Sequence, residues 1–463
     1  MRATLDFLLN GERLSLADED PARTVLTWLR ETRRLVGTKE GCAEGDCGAC
    51  TVVLADLHEG KLRYQPVNAC ILCLGALDGK EVITVDGLKA LYDGALHPVQ
   101  KAMVDCHGSQ CGFCTPGFVM ALYAHYKSDR KLALTDAIAG NLCRCTGYRP
   151  ILEAGERAAA LGDAPRDRAE DEARKARLGA LPADATRLDG FFAPATVDEL
   201  ADFLLAHPDA TILGGGTDLG LVITKQHRDL PRIVHTAKVR ELRRIDESRD
   251  ALDIGGAVTY AEAYARLASL HADIGELLRR LGAVQVRATG TLAGNIANGS
   301  PIGDTMPVLL ALGATLALQR GSETRSVPLD HFYTGYRKSV LHTGEFIRAV
   351  HVPKLGAGAR FAAYKLSKRF DQDISSVCAA FHVDAKGDAR FAFGGMAATP
   401  SRARRAEAAY AQGVEAACAA LAQDFEPLSD QRASAWYRLT AAQGLLRKFD
   451  ARIGARALLE AAP

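Results

Sequence analysis

Three cysteines in a glycine-rich stretch are the first residues of this chain whose type and spacing are typical of a metal site. Cys42, Cys47 and Cys50 follow the pattern C-x4-C-x2-C, and Cys70 and Cys73 come later as remote thiols. Plant-type 2Fe–2S centres take three thiolates from one tightly wrapped loop and a fourth from a distance. The intervening glycines accept positive φ and let backbone N–H groups approach the sulfurs, which raises the reduction potential. The spacing therefore predicts a 2Fe–2S cluster, with Cys70 and Cys73 competing as the fourth ligand.

Four further cysteines form a second group of two pairs. Cys111 and Cys114 are followed by Thr-Pro-Gly, and Cys143 and Cys145 by Thr-Gly-Tyr-Arg-Pro, so each pair stands at the start of a predicted helix. The positive dipole end of a helix favours thiolates that carry a negatively charged cluster. The motif predicts a second iron–sulfur cluster and leaves Cys106 as a structural residue. Structural zinc is the alternative for both groups, and it fits the first group poorly because zinc sites usually repeat C-x2-C pairs.

The composition narrows the classes of protein to which these motifs can belong. The chain has 463 residues, and its formal net charge of +1 provides no basic field for nucleic acid. No apolar run reaches the roughly 18 residues of a membrane-spanning helix, and Asp6 interrupts what would be the apolar part of a signal peptide. Ten of the twelve cysteines precede residue 146. We expect a cytoplasmic protein whose thiols bind metal, with no nucleic-acid or membrane partner.

The first 160 residues divide into a strand-rich part and a helical part. Asn10-Gly11 between two strand-like runs predicts a β-hairpin, followed by a short helix near Thr24–Arg30 and a strand at Thr51–Ala55. Helical spacing of apolar residues marks Val99–Val104, Gly117–Tyr126 and Thr135–Ala139.

Residues 163–184 are almost entirely charged or small, so we predict a solvated linker there.

After the linker, strand-like and helical runs alternate from Phe191, which predicts an α/β region. The predicted strands are Thr211–Leu213, Leu252–Ile254 and Ala314–Leu318, and the predicted helices are Val197–Leu205, Tyr260–Leu270 and Ile274–Leu281. A further part begins near Glu345, with strands at Ala363–Leu366, Val377–Val383 and Ala389–Phe393 and helices over Ala406–Ala462.

Two glycine-rich segments of the α/β region are candidates for dinucleotide binding. The three consecutive glycines in Ile212–Leu219 let the backbone fold around a pyrophosphate with its N–H groups pointing inward. The segment lacks G-x-G-x-x-G, so it is not a Rossmann fingerprint, and a lone triple glycine is more often an ordinary turn. Gly290–Asp304 is rich in glycine and amides and too polar for a core strand. Two such segments favour a site that closes over one dinucleotide.

The motifs around both cysteine groups resemble the xanthine dehydrogenase and aldehyde oxidase family nearly letter for letter. The matching stretches are Gly41–Cys50, Asn68–Cys70, Gly108–Gly117 and Gly140–Tyr148, and the later segments follow in family order. In that family the cysteine of Asn-Ala-Cys is the fourth ligand, which implies Cys70 and leaves Cys73 as a small buried apolar residue. The implied metal ligands are Cys42, Cys47, Cys50, Cys70, Cys111, Cys114, Cys143 and Cys145.

The resemblance implies a multidomain α+β protein. Its expected parts are a ferredoxin-like β-grasp 2Fe–2S domain at residues 1–84, a helical-bundle 2Fe–2S domain at 85–162, the charged linker at 163–184, an α/β FAD-binding domain at 185–345, and an α+β flavoprotein C-terminal subdomain at 346–463.

The same resemblance assigns contacts to FAD. The segments Ile212–Leu219 and Thr291–Asn295 would hold the pyrophosphate, and Asp304 the adenosine ribose. Leu281 departs from the aromatic residue of some relatives, and an ordinary surface lysine is the alternative for Lys365. The expected FAD-binding residues are Ile212, Leu213, Gly214, Gly215, Gly216, Thr217, Asp218, Leu219, Leu281, Thr291, Asn295, Asp304, Ile347 and Lys365.

The implied function is that of the electron-transfer subunit of a molybdenum hydroxylase, first of all a xanthine dehydrogenase that converts hypoxanthine and xanthine to urate. The chain ends at Pro463, so we expect the molybdopterin centre on a large partner subunit, in an α2β2 heterotetramer, and no catalytic residue here. Electrons would pass from molybdenum through the second cysteine group, then the first, to FAD and NAD. Tyr336–Lys338 and Lys368–Ile374 either steer NAD or form solvated turns.

Two other functions remain open. The same module could serve an aldehyde, carbon monoxide or N-heterocycle dehydrogenase. Fusion of the iron–sulfur and flavin parts in one chain favours xanthine dehydrogenase, because several of those systems carry them on separate chains. The second alternative is a non-enzymatic electron shuttle that binds zinc and flavin.

Overall fold

The first part of the chain forms a five-stranded mixed sheet in the computed structural model, which describes residues 1–128, 132–162 and 164–452. Its elements are β1 (Leu5–Leu9), β2 (Glu12–Leu16), α1 (Val25–Thr27), β3 (Thr51–His58), β4 (Lys61–Asn68) and β5 (Glu81–Ile83). The strand order is β2-β1-β5-β3-β4, with β1 and β5 parallel and the other pairs antiparallel. This is the expected β-grasp arrangement.

The predicted hairpin is confirmed in its register. Leu9 pairs with Glu12, so Asn10 and Gly11 form a two-residue turn. Both turn residues have positive φ, as a type I′ turn requires. The turn fixes which strand residues face the core, because a shift of one residue would reverse the two faces.

The second part is helical, as predicted. Cys114 is the N-cap of the helix that follows it, and Pro116 occupies its first turn. Phe118, Tyr123 and Ile151 are buried in the core of these helices. The helices are α2 (Pro98–Asp105), α3 (Thr115–Lys127), α4 (Leu134–Ile138) and α5 (Arg149–Ala160).

The charged stretch 163–184 is not the solvated linker that we predicted, because it contains helix α6 (Ala164–Gly179). Arg174 of this helix is fully buried, and its Nε donates to the buried carboxylate of Glu81 at 2.8 Å. A second guanidinium N–H of Arg174 donates to Tyr64 Oη at 2.8 Å. The prediction is wrong because composition gives the number of charged residues and not the partners of each one. A charged side chain can be buried where an opposite charge and hydrogen bonds compensate for its lost hydration.

The α/β region forms a four-stranded sheet, a five-stranded antiparallel sheet and a two-stranded hairpin. The four strands are ordered β6-β7-β9-β8 and the five β10-β11-β16-β12-β13. The strands are β6 (Thr186–Leu188), β7 (Phe191–Ala193), β8 (Thr211–Leu213), β9 (Ile233–His235), β10 (Ile245–Glu247), β11 (Ala251–Gly255), β12 (Thr315–Arg320), β13 (Glu323–Pro328), β14 (Tyr333–Gly335), β15 (Lys338–Ser339) and β16 (Phe346–Pro353). The helices are α7 (Val197–Ala206), α8 (Leu219–Thr224), α9 (Tyr260–Ala268), α10 (Ala272–Arg279), α11 (Val284–Thr289), α12 (Leu292–Asn298) and α13 (Thr305–Leu312).

The last part is a four-stranded antiparallel sheet followed by helices, as predicted. Phe381, Phe391 and Phe449 are buried between the strands and the last helix. Residues 453–462 of the predicted helical end lie outside the described residues. The elements are β17 (Arg360–Leu366), β18 (Val377–Val383), β19 (Ala389–Gly394), β20 (Ser401–Arg402), α14 (Arg404–Ala409), α15 (Val414–Asp424) and α16 (Ala435–Asp450).

These elements fold into two compact units. Within the described residues, no helix is both long and apolar enough to cross a bilayer. Unit 1 comprises Met1–Ala195, Asp209–Lys238 and Ala283–Gly290, and unit 2 comprises Thr196–Pro208, Val239–Gly282 and the described residues from Thr291 on.

The buried pair of α6 leads to a prediction about stability. Replacing Arg174 by Met leaves Glu81 buried without its counter-charge, which should lower the free energy of unfolding by about 3–5 kcal/mol. The control is Arg149→Met, because the Arg149–Glu153 pair is exposed and should contribute little. Urea denaturation followed by circular dichroism compares the two. Equal unfolding midpoints would show that α6 adds nothing to the fold of unit 1.

Candidate functional site

The first cysteine loop wraps around the sulfur of Cys42. This sulfur accepts backbone N–H groups from Glu44, Asp46 and Cys47 at N–S distances of 3.5, 3.4 and 3.3 Å. Gly45 has a φ of +78°, a backbone conformation that residues other than glycine rarely adopt. The loop therefore presents the N–H groups that stabilise a negatively charged thiolate, as the sequence predicted.

Pairwise contacts link the four thiols of the first group. Cys47 and Cys70 both contact the Cys42 thiol, which lowers the pKa of Cys42, and the same contacts raise the pKa values of Cys47 and Cys70. Cys70 also contacts Cys50. Cys73 stands apart: burial raises the pKa of its thiol to about 12, and no other cysteine contributes to the shift. The geometry thus brings together Cys42, Cys47, Cys50 and Cys70.

The second cysteine group also comes together. Cys111 contacts Cys145, and Cys114 contacts Cys143. Burial and the contact with Cys143 raise the pKa of Cys114 to about 12. Burial opposes ionisation of Cys143, but the hydroxyl of Thr146, at 3.1 Å, and its backbone N–H, at 3.4 Å, lower the pKa. Cys106 lies outside this group and packs against the helical core.

Each cysteine group supplies four thiols, the number that one binuclear iron centre requires. A 2Fe–2S centre divides four thiolates between two irons joined by sulfides. Four thiols per group, with N–H donors aimed at Cys42 and Cys143, fit the chemistry of that centre.

The loops that carry the two cysteine groups meet through their backbones. The N–H of Leu142 donates to the carbonyl of Cys47 at 3.0 Å. Leu142 precedes Cys143, so the hydrogen bond joins a ligand candidate of one group to the chain neighbour of a ligand candidate of the other.

The triple-glycine segment lies beside the first cysteine group in unit 1. A Cβ on Gly215 would lie 1.9 Å from the carbonyl oxygen of Thr289, and one on Gly220 would lie 2.4 Å from that of Ile71. Gly216 has a φ of +74°. Close backbone packing therefore requires glycine at positions 215 and 220, and the positive φ favours it at position 216. The segment is placed next to Ile71, which follows Cys70 in the chain.

Lys225 is a functional candidate that sequence reasoning missed. Its ammonium donates to the carbonyl of Cys42 at 2.5 Å and lies 3.6 Å from a carboxylate oxygen of Glu44. No motif marks it, because the contact joins residues 183 positions apart. The positive charge sits beside the backbone of a proposed cluster ligand, where it would favour the reduced, more negative state of a cluster.

In unit 2, the predicted FAD residues Asp304 and Lys365 form a buried ion pair. Lys365 Nζ donates to Asp304 Oδ2 at 2.6 Å and to the carbonyl of Arg280 at 3.0 Å. The hydroxyl of Ser375 donates to Asp304 Oδ1 at 2.5 Å. The interpretation of Lys365 as an ordinary surface lysine is therefore wrong, since its ammonium is almost fully buried.

The other predicted FAD residues of unit 2 have structural roles that the sequence did not show. Thr291 is the N-cap of α12, where its hydroxyl accepts the N–H of Gly294 at 3.0 Å. Asn295 Oδ1 accepts the hydroxyl of Thr305 at 3.2 Å. Ile347 is buried on β16, and Leu281 packs against the same core.

The two segments with uncertain roles lie at the surface of unit 2. Tyr336 is exposed at the turn between β14 and β15, and Arg337 there lies over its ring. In the other segment, Asp373 accepts the backbone N–H of Arg369 at 2.8 Å, and the Arg280 guanidinium lies 4.5 Å from the ring centre of Phe370. The second segment is therefore an anchored loop.

Four stretches of the chain match known protein families. The matches are residues 7–74 with a 2Fe-2S iron-sulfur cluster binding domain, 84–156 with a 2Fe-2S binding domain, 185–355 with the FAD binding domain in molybdopterin dehydrogenase, and 362–453 with the CO dehydrogenase flavoprotein C-terminal domain. They confirm the predicted fold class.

Individual relatives agree with these families. The chain is 34% identical over 473 residues to xanthine dehydrogenase of Drosophila subobscura, covering 87% of this chain and 35% of that protein. It is 33% identical over 525 residues to xanthine dehydrogenase of Emericella nidulans, covering 96% and 38%. The chain thus spans little more than a third of these curated relatives. A chain of reconstituted CO dehydrogenase from Oligotropha carboxidovorans superposes with a TM-score of 0.53 at 26% identity, covering 57% of this chain and 97% of that one.

The separation of Cys70 from Cys73 leads to a prediction about cluster content. Cys70→Ala should remove one of the two clusters, because it deletes a thiol that contacts Cys42 and Cys50. Cys73→Ala should leave both, since that thiol contacts neither. Iron and acid-labile sulfide per chain, together with electron paramagnetic resonance (EPR) of the reduced protein, measure the difference. Loss of a cluster in Cys73→Ala with retention in Cys70→Ala would reverse the assignment.

The contact of Lys225 leads to a prediction about reduction potential. Lys225→Met should lower the reduction potential of the first cluster, because it removes a positive charge near the cluster. At a partly exposed site the interaction of that charge with the cluster is on the order of 1 kcal/mol. Lys80→Met is the matched control, as Lys80 also donates to a backbone carbonyl, that of Ala76, at 2.6 Å. An EPR-monitored redox titration gives both potentials. A shift of the same size in both variants would show that Lys225 has no particular influence.

Proposed function

Because the chain is built as the iron–sulfur and FAD module of the molybdenum hydroxylases, we propose that it is the electron-transfer subunit of a xanthine dehydrogenase. In this proposal electrons reach the chain from a molybdopterin centre held by a partner subunit, in an α2β2 assembly, and leave it to NAD. The convergence of four thiols at each of two cysteine groups carries the proposal.

The proposed cluster ligands are the eight cysteines of the two groups. When bound, the clusters carry electrons singly, and FAD takes them singly and releases them as a pair. The N–H groups of Glu44, Asp46 and Cys47 stabilise negative charge on Cys42, and the backbone N–H of Thr146 does so on Cys143. These residues hold the sulfurs in place, and no residue of the chain is proposed as nucleophile or base for hydroxylation.

The proposed FAD residues are supported separately in each unit. In unit 2, each oxygen of Asp304 accepts one hydrogen bond, from Lys365 or Ser375, and retains a lone pair for a ribose hydroxyl. In unit 1, Ile212–Leu219 is proposed for the pyrophosphate, and its position beside Ile71 suits an electron donor held by Cys70. Leu281, Thr291, Asn295 and Ile347 are proposed to contact FAD as the family resemblance implies.

The choice of xanthine as substrate rests on the relatives. Proteins named xanthine dehydrogenase align with 87% and 96% of this chain. The CO dehydrogenase chain covers 57% of it. That likeness makes carbon monoxide dehydrogenase the second candidate, and aldehyde and N-heterocycle dehydrogenases share the same module.

Purification with the partner chain tests the proposal. We expect a brown protein with iron, sulfide and FAD that bleaches with dithionite and, with a molybdopterin-binding chain, reduces NAD when given xanthine. Aldehyde, carbon monoxide and an N-heterocycle are the competing substrates, and turnover of one of them in place of xanthine would replace the proposed substrate. A colourless protein that contains zinc would contradict the whole proposal.

The buried pair of unit 2 provides a variant test of flavin binding. Lys365→Met should weaken FAD binding at least about tenfold, or about 1.4 kcal/mol, while the iron content stays unchanged. Lys354→Met is the control, because Lys354 forms an ion pair with Glu247 at a more exposed position. FAD released per chain and the FAD dissociation constant are measured. Full FAD content in Lys365→Met would remove this lysine from the proposed site.

A further inference from the structure

Three buried polar side chains in unit 1 connect the two cysteine loops, and we call them the amide seam: Gln285, Asn141 and Thr51. Gln285 Nε2 donates to Asn141 Oδ1 at 2.9 Å and to Thr51 Oγ1 at 3.3 Å. Asn141 Nδ2 donates in turn to the carbonyl of Gly48 at 2.9 Å and to Thr51 Oγ1 at 3.2 Å. None of the three is more than 2% exposed.

The amide seam acts on residues next to proposed cluster ligands. Gly48 follows Cys47, and Asn141 stands two residues before Cys143. The carbonyl of Gly48 also accepts the hydroxyl of Thr51 at 2.6 Å, so one backbone oxygen is held by both loops. A small rotation of the Asn141 amide would therefore change the separation of the two loops.

No space is left for the seam to relax. A Cβ on Gly48 would lie 2.1 Å from the carbonyl oxygen of Gly140, and one on Gly140 would lie 1.9 Å from Gln285 Oε1. Gln285 Oε1 has no hydrogen-bond partner among the described residues. The amide is therefore held by its N–H donors alone, and these donors set the orientation of Asn141.

Gln285 comes from a distant part of the sequence. It lies on α11, within the stretch that matches the FAD-binding domain, while its partners belong to the two 2Fe–2S stretches. The helix also contacts β4, where Gln65 Nε2 donates to the carbonyl of Ala288 at 3.4 Å. A helix of the flavin region thus completes the seam between the cysteine loops.

We propose that Gln285 is a positioning residue that sets the relative placement of the two clusters, and with it their electronic coupling. The donors of Gln285 fix the Asn141 amide, Asn141 fixes Gly48, and the Leu142–Cys47 hydrogen bond lies directly alongside. The inference rests on the proposed cluster ligands. It goes beyond them by making the coupling depend on a residue that touches no cluster ligand.

The test compares three variants of the full-length, cluster-loaded chain. Gln285→Met keeps the length of the side chain and removes its donors. Gln65→Met is the matched control, since it removes the other glutamine contact of α11 and touches neither cysteine loop. Thr51→Val is a milder second variant that keeps the shape of the seam, for use if Gln285→Met loads poorly. Iron, sulfide and the unfolding midpoint are measured for each.

The decisive measurement is the magnetic interaction between the two reduced clusters. In the EPR spectrum of the dithionite-reduced protein this interaction splits or broadens the signals, and it depends on the distance and orientation of the clusters. We expect the splitting to change in Gln285→Met and Thr51→Val and to stay as in wild type in Gln65→Met.

Each outcome decides the matter. Unchanged splitting in a fully loaded Gln285→Met or Thr51→Val overturns the inference while leaving the proposed function intact. An equal change in Gln65→Met overturns it too, because the effect would then be one of general helix packing. Wild-type protein without iron and sulfide overturns both the inference and the proposed function.

Discussion

The structure of unit 1 depends on one steric constraint, the contact of two backbones at Gly48. A Cβ on Gly48 would meet the carbonyl of Gly140 at 2.1 Å, and a Cβ on Gly117 would meet the carbonyl of Gly48 at 2.2 Å. No side chain larger than hydrogen fits at position 48 or 117. The Leu142–Cys47 hydrogen bond joins the two loops next to this contact. Two sites that look independent in the sequence are therefore parts of one rigid contact.

Local features of this chain could be predicted from the sequence, and long-range ones could not. The Asn10-Gly11 turn and the helix start at Cys114 follow from backbone preferences of neighbouring residues, so they were predicted correctly. Lys225 and Gln285 gave no local signal, because their partners lie 183 and 144 positions away. The choice of Cys70 required the family resemblance, since spacing alone left Cys73 open. The sequence alone does not predict contacts between polar groups that lie far apart in the chain and that only the fold brings together.

The boundaries of the two compact units differ from the boundaries of the stretches that match protein families. Asp209–Lys238 and Ala283–Gly290 lie in the FAD-binding stretch, yet they fold with the cysteine groups in unit 1. Gly220 is packed against Ile71, beside Cys70, at a distance that excludes a Cβ. This arrangement suits an electron carrier, because a segment of the FAD-binding stretch then holds the backbone beside a proposed cluster ligand. The helix α6 has a similar effect, since Arg174 joins Tyr64 and Glu81 to a segment beyond the second cysteine group.

The Arg174–Glu81 and Asp304–Lys365 ion pairs are both buried, and they call for different explanations. A buried pair seldom stabilises a protein more than apolar side chains of the same volume, because both charges lose their hydration. Arg174 and Glu81 are wholly enclosed, and their pair joins α6 to β5 of the sheet. Asp304 and Lys365 keep slight exposure, at 8% and 2% of their side chains, and the carboxylate accepts a serine hydroxyl as well. An acidic group held in place and still open to a hydroxyl donor is costly for the fold of unit 2 alone. A polar ligand that uses it would account for that cost, which is why this pair, and not the pair on α6, belongs to the proposed flavin site.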